Sequence, residues 1–177
     1  MTILTTTPKN PNLLPSNKYQ LNFSRCPNIQ FFCQTVIVPG ISMMEVPRYN
    51  PFIDLYSPGV KAIYEVLNVT FLIDEDLKAW SEVHNWIRDM VFPEDFEEYK
   101  DLKNIAKPTI RPDFPQFADA HLTLLSSANN PICKFKFIDI FPVALSSFNL
   151  STTFSPDVIV TADVSFRYSY YQLEILN

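Results

Sequence analysis

The sequence predicts a mainly β (α+β) domain: an antiparallel β-sandwich or barrel of about seven to nine strands with one packed α-helix over about 75–91. Three observations carry this. Apolar and polar residues alternate with period two in run after run. One stretch, Leu77 to Val91, instead repeats apolar residues at the three-and-four spacing of a helical face. Fifteen prolines and only two glycines punctuate the chain between these runs.

Residues 1–17, with Pro8, Pro11 and Pro15, read as an extended arm, and 18–177 as a single β domain. Lys18 to Ser24 alternates cleanly, with Tyr19, Leu21 and Phe23 on one face. Pro27-Asn28 reads as a turn, and Gln30 to Val38 as a strand apolar on both faces, stopped by Pro39-Gly40. Residues 43–62 read as a projecting hairpin with its turn at Ser57-Pro58-Gly59. That hairpin holds Met43, Met44, Tyr49, Phe52, Ile53, Leu55 and Tyr56, too apolar a set to stand in water unless a partner or its own domain covers it.

Tyr64 to Ile73 is the next alternating strand. Asp74-Glu75-Asp76 places acids where free N–H groups and the positive dipole end open a helix. Leu77, Trp80, Val83, His84, Ile87 and Met90 form its stripe, which Trp86 widens, and Trp80 and Ile87 are expected against the sheet. His84 reads as a core-edge packing residue. Pro93 to Leu102 suits a second short helix, followed by a proline-rich loop to residue 117. Residues 74–101 hold ten acids against three bases, an acidic, solvated face. Ala120 to Leu125 and Cys133 to Ile138 alternate again. Phe141-Pro142 is expected to break the ladder before a strand from Ala144 to Thr152. From Val160 to Tyr171 one long strand sets Val160, Ala162, Val164, Phe166, Tyr168 and Tyr170 against Thr161, Asp163, Ser165, Arg167 and Ser169.

Composition excludes several functions. Gly40 and Gly59 cannot build a Walker loop or a dinucleotide fingerprint, which need clustered glycines. With His84 and His121 alone, the helical two-histidine zinc motif is missing too. No apolar run reaches the ~18 residues of a membrane span. Met1 to Asn10 lacks the basic-then-apolar pattern of a signal peptide. A net charge of −5 argues against tight binding of nucleic-acid phosphates. Cys26, Cys33 and Cys133 read as buried, reduced thiols, neither a disulfide framework nor a metal knuckle. No serine lies in a nucleophile elbow, and the acids are explained by capping or pairing. The expectation is no catalytic residue, no metal and no cofactor.

Three stretches resemble the tail-tube family of contractile-tailed (T4-like) bacteriophages, including the ring proteins that start or cap the tube. They are NKYQLNFSRCPNIQFFCQTVIVPGIS at 17–42, LNVTFLIDEDLKAWSEVHNWI at 67–87 and FKFIDIFPVALSSFNLSTTFSPDVIVTADVSFRYSYYQLEI at 135–175. The resemblance implies a structural virion protein, not an enzyme: a subunit of a hexameric ring, stacked with others into a DNA conduit beside sheath or baseplate proteins. Such a protein is made in the host cytoplasm and ends in the virion tail. On that reading Met43, Met44, Tyr49, Phe52, Leu55 and Tyr56 are candidates for a ring–ring interface. Thr161, Asp163, Ser165, Arg167 and Ser169 are candidates for a lumen or inter-subunit face. The competing class is a monomeric β-sandwich binding module.

Overall fold

The computed structural model describes residues 11–91, 116–153 and 158–176. Its elements follow in the order β1 (Tyr19–Phe23), α1 (Pro27–Phe32), β2 (Cys33–Ile37), β3 (Ile41–Arg48), β4 (Leu55–Tyr64), β5 (Leu67–Leu72), α2 (Lys78–Val91), β6 (Ala118–Leu125), β7 (Pro131–Leu145), β8 (Thr161–Arg167) and β9 (Tyr170–Ile175). The short helix expected at Pro93 to Leu102, most of the proline-rich loop and the first ten residues lie outside the described residues.

β7 organises the domain. Its first part lies between β6 and β9, while Phe141 to Leu145 pairs with β8. One four-stranded layer is therefore β1-β6-β7-β9, the other β7-β8-β5-β2, all antiparallel. The strand turns between layers at Asp139, whose φ of 56° is left-handed, and again at a bulge between Pro142 and Ala144. Ser169, between β8 and β9, fastens this corner. Its N–H donates to the Ile138 carbonyl at 2.9 Å and its Oγ to Asp139 Oδ2 at 3.1 Å.

The alternation decides what is inside. Leu67, Val69 and Phe71 of β5 are buried, as are Ala162, Val164 and Phe166 of β8, and their neighbours in sequence are not. Leu21, Phe23, Ala120, Leu122 and Phe137 supply the facing layer. Phe23 and Phe166 meet across the interior at 4.9 Å between ring centroids. The helices add Ile29, Ala79, Val83 and Trp86 to the same core.

Several expectations change. Gln30 to Val38 is not one strand: Pro27 opens α1, where its fixed φ suits a first helical turn. Asn28 then holds α1 to α2, its backbone N–H and Nδ2 donating to the Glu82 carboxylate at 3.2 and 2.7 Å. The aromatic pair Phe31-Phe32 imitates strand composition, and this contact overrides it. α2 begins at Lys78, and Asp74 lies before it, its two oxygens accepting the N–H groups of Lys78 and Ala79, each at 3.0 Å. Desolvation pushes the Asp74 carboxyl up, but these bonds outweigh it and hold the group below its usual range.

The buried face of α2 is Ala79, Val83 and Trp86; Trp80 and Ile87 flank it half-buried, and His84 is exposed with its ring stacked on Trp80. The stripe is thus rotated from the expected one toward Ala79, Val83 and Trp86. β7 continues through Phe141-Pro142, and residues 146–151 form no strand. The bulge lets Pro142 sit without a ladder N–H. The long last strand is two, because the chain crosses at Tyr168-Ser169 from one layer to the other. Past the crossing the phase changes: Tyr168 is buried, Tyr170 exposed.

The hairpin β3–β4 forms a sheet of its own, and its turn spans residues 49–54 rather than Ser57-Pro58-Gly59. Those three lie in β4, where Glu45 opposes Pro58 beside a bulge at Met44. Gly59 is required there: a Cβ on it would stand 2.1 Å from the Met44 carbonyl oxygen. Gly59→Ala is expected to break the pairing of β3 with β4 while leaving the melt of the main domain within about 0.5 kcal/mol of wild type. Backbone amide exchange, faster only at 41–64, checks this; a matching loss in global stability would show the hairpin to be integral to the core.

Candidate assembly surfaces

Every residue of β3 is exposed, although Ile41, Met43, Met44 and Val46 are all large and apolar. Met43 pairs with Ala62, Pro47 with Tyr56 and Arg48 with Leu55, so the candidates on the two strands lie side by side. Tyr49 and Phe52 stand in the turn, 86% and 90% exposed. Val60, 99% exposed, and Ile63 belong to the same surface but escaped the sequence reading. Their signal was the apolar character of both faces of β4. A lone two-stranded ribbon is marginal in water, and an apolar surface of this kind suits cover by a partner.

The hairpin root is fixed to the core. Tyr64, the last residue of β4, packs edge-on against Tyr168 and Tyr171 at 6.0 and 5.3 Å. The Tyr168 hydroxyl donates to the Glu65 carbonyl at 2.8 Å, and the Gly40 N–H donates to the Glu65 carboxylate at 3.1 Å. Burial, with Tyr171 and Tyr64 nearby, pushes the Tyr168 hydroxyl up to about 12, so it stays a neutral donor. The direction of the hairpin is thus set by buried aromatic packing, and its body is left free.

The second surface is the outer face of β8 and β5. Thr161, Asp163 and Arg167 are exposed and Ser165 is half-buried, all on the side opposite the core. Thr70 Oγ1 donates to Asp163 Oδ1 at 2.6 Å and Ser165 Oγ donates to Asn68 Oδ1 at 2.8 Å. Ser169 does not extend this row, because its hydroxyl turns to Asp139 at the corner. The face is hydroxyl-rich with balanced charge and no cation cluster. β2, at one end of its layer, has Thr35 and Ile37 exposed on an edge that no other described strand shares.

The thiols occupy neither surface. Burial, with Glu82 adding and Arg25 opposing, pushes Cys26 up to about 12. Burial lifts Cys33 to about 11 and also raises Cys133. All three are free, though only Cys26 is fully buried. Iodoacetamide at pH 8 is therefore expected to leave Cys26 unlabelled in the native chain and to label it in urea; the thiolate is the reactive form and is scarce at that pH. Rapid native labelling of Cys26 would contradict its burial in the core at the start of α1. Among the described residues no cluster of three or more His, Cys, Asp and Glu is placed to hold a metal ion.

A layered β domain with an exposed apolar hairpin and a balanced polar face resembles known proteins. The family model for the phage tail tube protein matches residues 6–174. The chain belongs to the phage tail tube family. This tail tube family protein is 25% identical over 144 residues to the tail tube terminator protein of Enterobacteria phage T4, covering 80% of its own length and 76% of the relative. Its fold matches the sheath/tube terminator of an extracellular contractile injection system, PVC, with a TM-score of 0.59, 12% identity and coverage of 92% and 97%. It matches the tube-terminating cap of the anti-feeding prophage with a TM-score of 0.57, 12% identity and coverage of 99% and 100%. The relatives are structural components of tubes and their ends. As a tail tube family member the protein is a virion tail component.

Proposed function

We propose that this protein forms a hexameric ring at the head-proximal end of a phage tail tube, closing the tube and leaving a passage for DNA. The observation that carries the reading is the β3–β4 hairpin, rooted in the core yet rich in apolar side chains and largely exposed. Such a surface suits burial against the adjacent ring. The likeness to the T4 terminator favours the tube end over the main tube. The outer edges of β1 and β2, which no other described strand shares, suit closure between subunits, which removes them. Thr161, Asp163, Ser165 and Arg167 then suit the lumen. Their hydroxyls and balanced charge give passing phosphates no cation cluster to hold.

The test is microscopy of the purified chain, alone and mixed with isolated tail tubes. Closed six-fold rings, and rings seated on one tube end, are expected. Hydrogen exchange is expected to slow at 41–64 only on assembly. A chain that stays monomeric at high concentration and ignores tube ends overturns the reading and favours the β-sandwich binding module.

A further inference from the structure

We propose that β9 of one copy seals the cleft between β1 and β2 of the next copy in the ring. The proposal rests on the ring reading and names the joint between neighbouring subunits. A cleft of about 800 Å³ opens between β1 and β2. Leu21, Leu122 and Leu124 of one layer and Val36, Val38 and Leu72 of the other line it, so the core stands open there. The Tyr19 hydroxyl ties the two strands together across it, donating to the Gln34 carbonyl at 2.6 Å. A matching apolar surplus lies at the far end of the first layer. Leu173 and Ile175 of β9 are 55% and 66% exposed. They share cross-strand rows with inward-facing residues: Leu173 with Phe135, Leu122 and Leu21, and Ile175 with Cys133, Leu124 and Tyr19.

The backbone edges fit as well. Among the described strands β1 pairs with β6 alone and β9 with β7 alone, so each has an outer edge that no other described strand shares. The layer β1-β6-β7-β9 is antiparallel throughout, so its two end strands run in opposite directions. Copies set side by side in one orientation therefore bring β9 against the next β1 antiparallel. The hydrogen-bond phase agrees. The Leu125 N–H donates to the Lys18 carbonyl and the Ser24 N–H to the Asp119 carbonyl, so Lys18, Gln20, Asn22 and Ser24 turn their backbone groups to β6, and Tyr19, Leu21 and Phe23 turn theirs outward. The Leu176 N–H donates to the Ile132 carbonyl, so by the same alternation Leu173 and Ile175 turn theirs outward on β9. Both outward sets carry side chains of the layer's inner face. Pairing them keeps the apolar side chains on one face, where Leu173 and Ile175 meet Val36 and Val38 across the cleft. Had the phases differed, the joint would have turned one apolar face to water. Two different edges meet in this contact, and such a heterologous contact propagates into a closed ring.

The experiment uses two full-length chains with Cys33→Ser and Cys133→Ser, one carrying Gln20→Cys and the other Gln172→Cys. Both new sites are exposed, on the polar side of their strands, and circular dichroism checks that each chain folds. The two are co-expressed and treated with a short bismaleimide, whose reach tolerates a two-residue slip of about 7 Å between the strands. A cross-linked pair is expected from the mixture, with little product from either chain alone. Adding Leu173→Asp to the Gln172→Cys chain is expected to leave its circular dichroism unchanged, because the site is exposed. It should lower the cross-link yield roughly tenfold, because the joint then buries an unpaired carboxylate. Rings seen by microscopy without the cross-link overturn this joint and leave the ring reading standing. Neither rings nor cross-link overturns both. A cross-link without rings supports the joint and overturns ring closure. Equal cross-linking of the Gln20→Cys chain alone means that β1 edges pair with one another, which overturns the joint, as does full yield from the chain carrying Leu173→Asp.

Discussion

Trp86→Ala is expected to lower the unfolding free energy by about 3–5 kcal/mol. Trp86 is 1% exposed, at the point where α2 meets both layers. Its ring lies 6.2 Å from that of Phe166 and beneath the Arg25 guanidinium, 5.1 Å from the centroid. Its Nε1 donates to the Gln116 carbonyl at 3.0 Å. Alanine there opens a cavity, leaves that carbonyl without its donor and strips cover from Arg25, whose side chain is 6% exposed. Urea unfolding checks this: the midpoint falls and the slope stays constant. Trp80→Ala, on the same helix, is expected to cost less than half as much. Trp80 is half-buried, and its indole N–H has no bond to lose. Equal losses at the two positions would show the packed face of α2 to be wrongly assigned.

The second large effect separates the two faces of β8. Val164 is 1% exposed and pairs with Val69 in the middle of the core. Val164→Lys buries an ammonium with no partner, which costs several kcal/mol even after the group sheds its proton. No cooperative thermal melt is expected. Ser165, one residue on, points the other way and loses only its bond to Asn68. Ser165→Lys is expected to cost about 1 kcal/mol or less and to leave a folded subunit. If the chain forms the proposed ring with this face to the lumen, the same change repeats a cation around it, which is expected to hold phosphates and slow DNA passage. Circular dichroism melts of both variants, followed by DNA delivery from particles carrying Ser165→Lys, check the pair. Two equally benign variants would sink the assignment of inner and outer faces.

The sequence was readable where one local pattern decides one local outcome. Val160 to Tyr168 alternates, and Ala162, Val164, Phe166 and Tyr168 are buried in turn. The helix was visible because Asp74 opens it and the spacing sustains it. Reading failed where a distant contact decides. Nothing near Pro27 announces Glu82, which holds α1 in place from 54 residues away. Ser57-Pro58-Gly59 has turn chemistry, but the glycine is there because the Met44 carbonyl comes too close for a Cβ. The hairpin candidates were legible as an apolar excess, since water is a poor solvent for them wherever they sit. The corner was not legible, since there a left-handed aspartate lets an apparently broken strand continue.

That corner has a mechanical consequence. Two stacked sheets held by side chains alone can slide, since apolar contacts have little directionality and re-form one notch along. Here β7 runs unbroken from one layer into the other, and Ser169 fastens the returning chain to the bend at Ile138 and Asp139. Shear between the layers therefore loads covalent backbone at once, and no slippage precedes it. The hairpin is the opposite kind of part: a compliant ribbon on a stiff mount, whose root is gripped by Tyr168 and Tyr171 beside the same corner. Tension drawn through the hairpin enters the subunit where it is least able to deform, so the domain moves as one rigid link.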